Sequence, residues 1–376
     1  MKTQTYNNFW QRIHESAKEK GIPLRVMFEL SYRCNFGCKY CYVPQNYRKH
    51  KEELKIKKIF SVLDQLAEIG CFYLGFTGGE PFIREDILDI VRYAKRKGFE
   101  IIIYTNGSLI DEKIADELAN LRLNKVDITI PAMTEGAFEQ ITRAPGSHKK
   151  VFRTIKLLHK NGVNLGFKTC VLKENENEIK DIQKFSASLG ALHRLDDMLS
   201  ARLDGSREPF KYRGRPRNNL ITSQASEVTG RKIKNYDLEN CDGKTIDHRP
   251  SSIELFKCGV GVSQVAITPS GELKMCLMID YPKYKILESS LRDCWQKLKK
   301  TVKNIKADKS YQCNRCEIAP FCKWCPAKSW LYNRTFTSCE PESRTFAERE
   351  DKLLQVACNA QQSKPHESCA IRLGNE

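Results

Sequence analysis

Short apolar runs alternate with amphipathic segments along the first half of the chain. Apolar runs of this length favour buried strands, and apolar residues repeated at a spacing of three and four favour helices. The predicted strands are Leu24–Leu30, Phe72–Phe76, Glu100–Tyr104, Lys125–Ile130, Val163–Leu172 and, as a short sixth, Ala191–Leu195. The predicted helices cover residues 51–69, 85–97, 111–122, 134–141, 149–161 and 176–189. Because such strands pair in parallel through right-handed crossovers, the pattern predicts an α/β barrel or partial barrel.

Polar or glycine-rich segments directly follow the first four predicted strands. They are Ser31–Pro44 with three cysteines, Thr77–Pro81 (TGGEP), Thr105–Gly107 (TNG) and Pro131–Met133. The carboxyl ends of parallel strands meet at one face of a barrel, and barrel enzymes carry their chemistry there. We therefore expect these four segments to lie together.

The cysteines Cys34, Cys38 and Cys41 form a C-x3-C-x2-C pattern. Thiolates are soft ligands that suit iron–sulfur clusters and zinc. An electron-carrying [4Fe–4S] cluster usually takes four cysteines, so three would leave one iron open to another ligand. A zinc site is the alternative, and it needs a fourth ligand, for which the nearest residue is His50 at an irregular spacing.

Paired glycines and a carboxylate follow the second strand. Gly78 and Gly79 have no Cβ, so backbone can be approached closely there. The carboxylate of Glu80 can accept hydrogen bonds from a bound ammonium group. The position of this motif at the end of a strand is what gives it weight.

Length, cysteine content and net charge indicate the number of domains, the cellular compartment and the kind of partner. The 376 residues suffice for one large domain and a smaller one, and no apolar run of membrane-spanning length occurs. The charged N-terminus lacks the apolar stretch of a signal peptide, and 16 cysteines in tight groups favour metal binding in a reducing cytoplasm. The formal charge of +17 suits an acidic partner, although segments such as Arg48–Lys58 fit a solvated helix face equally well.

With these motifs in this order, residues 24–200 resemble the radical S-adenosylmethionine (radical SAM) enzymes. The resemblance implies a partial (β/α)6 barrel with a [4Fe–4S] cluster whose open iron is chelated by the amino and carboxylate groups of S-adenosylmethionine (SAM). It further implies that one electron cleaves SAM to methionine and a 5′-deoxyadenosyl radical, which abstracts a substrate hydrogen.

The same resemblance assigns expected roles to single residues. Cys34, Cys38 and Cys41 would be cluster ligands, and the other assignments concern SAM. Tyr40 would lie near adenine, Gly78 and Gly79 would offer backbone contact, Glu80 would accept from the SAM ammonium, Asn106 and Asn177 would be polar contacts or turn residues, and Arg143 would pair with the SAM carboxylate or lie on the surface. Thr129 is a substitute for the family's Ser-x-Asp-Gly, from which Thr129-Ile130-Pro131-Ala132 departs.

A second set of cysteines occupies the last third of the chain. Val265–Thr268 and Glu272–Met275 flank Pro269-Ser270-Gly271 and predict a hairpin, with Cys258 and Cys276 on either side of one site. This region resembles the SPASM extension of peptide-modifying radical SAM enzymes, which carries auxiliary iron–sulfur clusters. By that resemblance one auxiliary cluster would be held by Cys313, Cys316, Cys322 and Cys339, and the other by Cys258, Cys276 and Cys325. Spacing alone also allows structural zinc sites.

The SPASM-like motif is one cysteine short of two complete sets. The second auxiliary cluster would therefore have an open iron, or would borrow Cys241, Cys294 or Cys358. Cys71, Cys170 and Cys369 are expected to be ordinary thiols, the first two packed in the core. The x2 spacing between Cys322 and Cys325, where the family pattern has x3, is a departure that some members share.

The predicted organisation has five parts. A helical segment at 1–23 is followed by the barrel at 24–204, a bridging region at 205–254, the auxiliary-cluster domain at 255–345, with a β-hairpin and helices, and a C-terminal helix and tail at 346–376.

Three functions compete at this point. The first is a radical SAM enzyme that oxidises or crosslinks a peptide or protein side chain, with a separate leader-binding protein because the N-terminal segment is short, and with flavodoxin or ferredoxin as reductant. The second keeps the chemistry on a tetrapyrrole or another cofactor precursor. The third is a non-enzymatic zinc module that binds nucleic acid through positive charge, and it leaves TGGEP unexplained. The first favours a cytoplasmic protein with one or two auxiliary [4Fe–4S] clusters, no membrane contact and no nucleic acid.

Overall fold

The computed structural model describes residues 12–49, 52–214, 255–256, 258–309 and 311–362. Across these ranges a nine-stranded sheet has the order β6-β5-β4-β3-β2-β1-β7-β8-β9. Its strands are β1 Arg25–Ser31, β2 Tyr73–Gly78, β3 Glu100–Thr105, β4 Lys125–Thr129, β5 Leu165–Cys170, β6 Leu192–Asp196, β7 Gln264–Ile267, β8 Glu272–Cys276 and β9 Ile279–Lys285.

The first six strands are parallel and are connected by helices. This confirms the predicted fold class, an α/β half-barrel followed by a part with a hairpin and helices. The helices are α1 at residues 12–20, α2 Ile56–Glu68, α3 Ile87–Arg96, α4 Glu112–Asn120, α5 Glu135–Thr142, α6 Ser147–Lys160, α7 Ile179–Ser188, α8 Leu291–Asn304, α9 Pro326–Asn333 and α10 Pro341–Gln362.

The two faces of the sheet differ in chemistry. One face packs under the helices through fully buried apolar residues such as Val26 and Phe28. The alternate residues of the same strands form the inner face, where polar groups such as Glu29 and Asp127 lie. A half-barrel of this kind therefore has an apolar outer layer and a polar concave face.

The hairpin of the last third extends the barrel sheet. β7 pairs in parallel with β1, from Arg25 opposite Gln264 to Phe28 opposite Ile267. β8 then pairs antiparallel with β7, and β9 pairs antiparallel with β8. The predicted hairpin is present, while its third strand β9 and the helix α8 were not predicted.

Some predicted boundaries move. The helix expected from residue 51 begins at Ile56, because the amide of Leu54 instead donates to Pro269 O at 2.8 Å. Residues 215–254 of the predicted bridging region lie outside the described ranges, as do residues 1–11 and His50. Among the described helices, none is both long and apolar enough to cross a membrane.

Candidate functional site

The cysteine loop lies at the carboxyl end of β1 and is held by the end of α5. The amide of Gly37 donates to Thr142 O at 2.8 Å, and the amide of Lys39 donates to Ile141 O at 3.0 Å. The last carbonyls of a helix have no intrahelical partner, so they are available to such donors. The end of α5 therefore positions the loop that carries the first three cysteines.

The two glycines after β2 admit the segment that leads into the cysteine loop. Gly79 N donates to Ser31 O at 2.7 Å, and Glu80 N donates to Arg33 O at 2.9 Å. A Cβ would lie 2.1 Å from Ser31 O if placed at Gly78 and 2.2 Å from Arg33 O if placed at Gly79. The sequence predicted that a ligand could closely approach the backbone of these glycines. In the structure the segment Ser31–Arg33 of the same chain makes that close approach.

The carboxylate of Glu80 is fully buried and has three donors. It accepts from Thr105 Oγ1 at 2.7 Å and from Asn106 N at 2.7 Å. Phe82 N also donates to it, at 3.1 Å. Burial raises the pKa of Glu80 to about 7, and the three hydrogen bonds act in the opposite direction. Glu80 therefore ties the end of β2 to the end of β3.

Asn106 joins that link to the cysteines. Its Nδ2 lies 3.9 Å from Cys34 Sγ and donates to Asn35 Oδ1 at 2.9 Å. Its Oδ1 accepts from Ser108 N at 2.9 Å. Three of the four segments that were predicted to lie together, those after β1, β2 and β3, therefore meet in the structure.

The buried surroundings of Cys34 and Cys38 disfavour the ionisation of these two thiols. Burial raises the pKa of Cys34 to about 11, and burial raises that of Cys38 further. The neighbouring Cys41 adds to both increases. Thiolates crowded in a buried loop need a cation, and metal binding supplies one as it releases the thiol protons. This donor set fits an iron–sulfur cluster.

The inner ends of β5 and β6 add groups that sequence reasoning did not assign to the site. Lys168 Nζ lies 3.4 Å from Asp196 Oδ2 on the neighbouring strand. Cys170 is buried, as predicted, and burial raises its pKa to about 12 with smaller contributions from Asp196 and Cys41. Cys170 also contributes to the raised pKa of Tyr40, after burial and Cys38. Only the parallel register of β5 and β6 brings these side chains together, and that register could not be predicted from the sequence.

Thr129 and Arg143 occupy the rim of the same region. Thr129 ends β4 and is the register partner of Lys168 on β5. Arg143 terminates α5 in a left-handed conformation with φ of 54°. Its guanidinium donates to Tyr212 Oη at 3.0 Å and lies 3.7 Å from Glu208. These contacts place Arg143 beside the cysteine loop with its charge directed at the segment before residue 214.

The loop after β5 contains one asparagine that the sequence singled out and one that it did not. Asn177 is exposed. Asn175, which was not singled out, is fully buried. Its Nδ2 donates to Pro131 O at 2.6 Å and to Cys170 O at 2.9 Å. Asn175 therefore holds the ends of β4 and β5 together.

Cys322 lies next to α10, with its Sγ 3.7 Å from Ser343 O. Burial raises the pKa of Cys313 to about 12 and that of Cys322 to about 11. Cys316 and Cys339 add to both increases, and Cys316 also adds to the raised pKa of Cys339. Tyr311 hydrogen-bonds to Cys313.

A third group joins the hairpin to the start of α9. Burial raises the pKa of Cys276 to about 11, with contributions from Cys325 and Cys258. Burial also raises the pKa of Cys325, and Cys258 contributes again. The two ligand sets that the resemblance implies, Cys313, Cys316, Cys322 and Cys339, and Cys258, Cys276 and Cys325, stay predictions.

The fate of the remaining thiols varies. Cys71 is buried, as predicted. Cys294 is a buried residue of α8, and its Sγ lies 3.2 Å from Ser289 Oγ. Cys241, Cys369 and the side chain of Cys358 lie outside the described part of the structure. Within that part, no three Cys, His, Asp or Glu side chains converge on a single metal-ion position.

Comparison with known families identifies the half-barrel. Residues 28–186 match the model of the Radical SAM superfamily. The half-barrel is a radical SAM domain. The match begins in β1 and ends in α7, so it includes the cysteine loop, Glu80 and Asn106. The predicted resemblance of residues 24–200 to the radical SAM enzymes is therefore confirmed over the matched residues.

Curated relatives of this radical SAM domain include a peptide cyclase and a heme synthase. The PqqA peptide cyclase of Bradyrhizobium diazoefficiens is 29% identical over 181 residues, 48% of this chain and 48% of the relative. The AdoMet-dependent heme synthase of Oleidesulfovibrio alaskensis is 28% identical over 175 residues, 46% of this chain and 45% of the relative. The matches thus span about half the length of these relatives.

A solved structure resembles more of the chain. Streptococcus suis SuiB bound to S-adenosylmethionine superposes with a TM-score of 0.62 over 91% of this chain and 82% of SuiB, at 14% identity. SuiB has also been solved with its precursor peptide SuiA, with a TM-score of 0.61. This coverage extends the similarity of fold beyond the radical SAM domain.

Proposed function

We propose that this chain is a radical SAM enzyme that modifies a peptide or a protein side chain. The observation that carries the proposal is the meeting of the cysteine loop, Glu80 and Asn106 at one end of a radical SAM domain. When bound, a [4Fe–4S] cluster and SAM supply a 5′-deoxyadenosyl radical by reductive cleavage, for hydrogen abstraction.

The protein would hold these groups at the carboxyl ends of its strands. The cluster would be ligated by Cys34, Cys38 and Cys41. The side-chain amide of Asn106 would donate a hydrogen bond to the sulfur of Cys34. SAM would bind against the rim formed by Gly78, Gly79 and Glu80. Hydrogen bonds within the protein already fix this segment. Such a rim is preorganised, which lowers the ordering cost of binding.

Further SAM contacts are assigned by position. We assign Tyr40 to the adenine, because it lies between Cys38 and Cys41 in the sequence. Its phenol hydrogen-bonds to Cys38. Thr129 and its register partner Lys168 lie on the inner face, where the ribose or carboxylate would pass. The guanidinium of Arg143 already contacts Tyr212 and Glu208, and these contacts favour a structural role at the rim over pairing with the SAM carboxylate.

The two further thiol groups would hold auxiliary clusters. Cys313, Cys316, Cys322 and Cys339 would form a complete set of four ligands. Cys258, Cys276 and Cys325 would leave one position for substrate or for another cysteine. The reducing chemistry fits a cytoplasmic location, with flavodoxin or ferredoxin as electron donor.

A peptide substrate is favoured by two observations. A cyclase of the peptide PqqA is among the relatives, and SuiB, of similar fold, was solved with its precursor peptide. The formal charge of +17 suits an acidic peptide or an acidic leader-binding protein. The second candidate substrate is a tetrapyrrole, which the heme synthase among the relatives favours.

The test is anaerobic reconstitution with iron and sulfide, followed by assays of iron, zinc and 5′-deoxyadenosine formed from SAM and dithionite. We expect about twelve irons per chain, from three four-iron clusters. Replacement of Cys34, Cys38 and Cys41 by serine should abolish deoxyadenosine and remove about four irons. The matched control Cys71→Ala should retain both.

Other outcomes would separate the alternatives. Zinc without deoxyadenosine would overturn the proposal. About four irons with turnover, and zinc in the other groups, would retain the radical chemistry and refute the auxiliary clusters. Stimulation of deoxyadenosine formation by a tetrapyrrole and not by acidic peptides would favour the second substrate class.

A further inference from the structure

A buried carboxylate occupies the inner face of β1, beside the cysteine loop. Glu29 Oε1 accepts from Tyr42 Oη at 2.9 Å, and Glu29 Oε2 accepts from Tyr32 Oη at 3.0 Å. Lys274 Nζ lies 3.2 Å from Oε2, with side chains 3% exposed for the lysine and 0% for the glutamate. A buried ion pair is costly to desolvate, and packed apolar residues often serve stability as well. This pair therefore calls for an explanation other than stability.

Two partners of Glu29, Tyr42 and Lys274, lie close in sequence to cysteines of different groups. Tyr42 directly follows Cys41 of the first group. Lys274 lies on β8, two residues before Cys276 of the third group, and donates to Leu277 O at 2.8 Å. One chain of contacts thus runs from the cysteine loop to the residue after Cys276.

A small apolar cluster joins the same segments independently. Its buried members are Ala201, Leu203 and Leu331, and the half-buried Tyr42 and Met278 pack against it. Leu331 lies on α9, which begins directly after Cys325, and Met278 lies two residues beyond Cys276. The backbone also contributes, since Leu203 N donates to the carbonyl of Tyr42 at 2.9 Å.

We propose that Glu29 is a positioning residue that couples the first cysteine group to the third. Through Tyr42 and Lys274 it would fix where the two loops stand relative to each other. The environment of a cluster held by the first group would then depend on the hairpin. This rests on the proposed function for its meaning, but the mechanical coupling can be measured without any cluster.

The first experiment measures amide hydrogen exchange in the full-length protein without metal. The Lys274→Met variant removes one partner, and the double variant Glu29→Gln, Lys274→Met removes the ion pair without leaving an unpaired charge. In both we expect exchange over residues 40–47, far away in sequence, to accelerate about tenfold, with a similar change over 275–280. Tyr42→Phe should accelerate exchange over 275–280 in turn. Arg92→Gln, which removes a surface ion pair with Glu117, is the matched control.

Two results would overturn the coupling. One is unchanged exchange over 40–47 in the double variant. The other is acceleration spread evenly over the whole chain, which would indicate general destabilisation. The double variant leaves no unpaired buried charge, so it should fold even if Lys274→Met does not. The test can then be made with the double variant alone.

The second experiment uses the reconstituted protein. Electron paramagnetic resonance during a redox titration should show a shifted midpoint potential for the SAM-responsive cluster in the double variant, and the wild-type potential in Arg92→Gln. An unshifted potential would refute an electronic consequence of the coupling. Absence of any SAM-responsive signal in the wild type would instead refute the proposed function, while the exchange result would stand.

Discussion

Gly79 shows how little space separates the two loops at the candidate site. A Cβ there would meet Arg33 O at 2.2 Å and Tyr32 O at 2.6 Å, both of them backbone atoms. We expect Gly79→Ala to destabilise the metal-free protein by about 1–3 kcal/mol, because one loop must move away from the other. Urea denaturation would measure this change in the free energy of unfolding.

A second glycine provides the matched control. Gly136 lies in α5, and a Cβ there would have no atom within 4 Å. Gly136→Ala should therefore leave stability unchanged or raise it by about 0.5–1 kcal/mol, through helix propensity. Equal effects of the two substitutions would contradict the steric explanation for Gly79.

We expect His193 to make the free energy of unfolding depend on pH. Burial lowers its pKa to about 4, and its Nε2 lies 2.9 Å from Thr169 Oγ1. The unfolded chain has a histidine pKa near 6.5, so below that pH it binds a proton that the native state does not. The stability contribution is therefore present above pH 6.5 and is lost as the pH falls toward 4, at about 1.4 kcal/mol per pH unit.

The measurement compares urea denaturation at pH 7.5 and pH 5 for the wild type and His193→Gln. The glutamine variant should lose this part of the pH dependence, whatever its stability at pH 7.5. An identical change between the two pH values in both proteins would show that His193 is not the responsible group.

At the residue scale, the sequence indicated the site groups that adjoin one another in recognisable motifs. Cys34, Glu80 and Asn106 follow strand ends and could be found from the pattern. Lys168 and Asp196 could not, because only the register of β5 and β6 brings them together. Glu29 resembled an ordinary strand residue, and its partner Lys274 is distant in the sequence.

At the scale of elements, Arg84 connects the turn after β2 to the end of β1. Its guanidinium donates to Leu30 O at 3.3 Å, to Leu54 O at 3.2 Å and to both oxygens of Asp86 at 2.8 Å. We expect Arg84→Met to lower the free energy of unfolding by about 3 kcal/mol, because buried acceptors lose their partner. Urea denaturation would again provide the measurement.

Arg92 offers the comparison for Arg84. It also pairs with two carboxylates, Asp89 and Glu117, but its side chain is 39% exposed. Exposed ion pairs contribute little, so Arg92→Met should have a much smaller effect. If both variants lost the same stability, the buried acceptors would not be the cause.

The elements that sequence reasoning missed have two different causes. β9 is polar and includes Pro282, and it is defined by its pairing with β8, which no local pattern reveals. The helix α8 did have a signal. Ser290 caps it, and its buried residues recur at helical spacing. The buried set is Leu291, Cys294, Trp295, Leu298 and Val302.

At the scale of the whole molecule, the barrel relies on the last third of the chain. β1 pairs with β2 on one side and with β7 on the other. Trp295 Nε1 donates to Gly21 O at 2.7 Å, and Leu291 N donates to Gln65 Oε1 at 2.8 Å. We expect a fragment that ends at residue 204 to aggregate, because it exposes an edge of β1 and the surface beneath α8.

Size-exclusion chromatography and thermal unfolding would test this fragment against the full chain. Co-expression of residues 255–376 should restore a soluble complex if pairing between β1 and β7 is what the fragment lacks. A monomeric fragment with a cooperative transition would show that the barrel is complete without β7.

The pairing of β1 with β7 also matters while the protein is being made. β1 leaves the ribosome early, whereas its partner is translated only after the rest of the barrel and the segment that follows it. At typical elongation rates this delay lasts at least about ten seconds, long compared with the folding of a small domain. Throughout it, the nascent chain presents an unpaired strand edge. A chaperone that shields this edge during synthesis is therefore expected to raise the yield of folded protein.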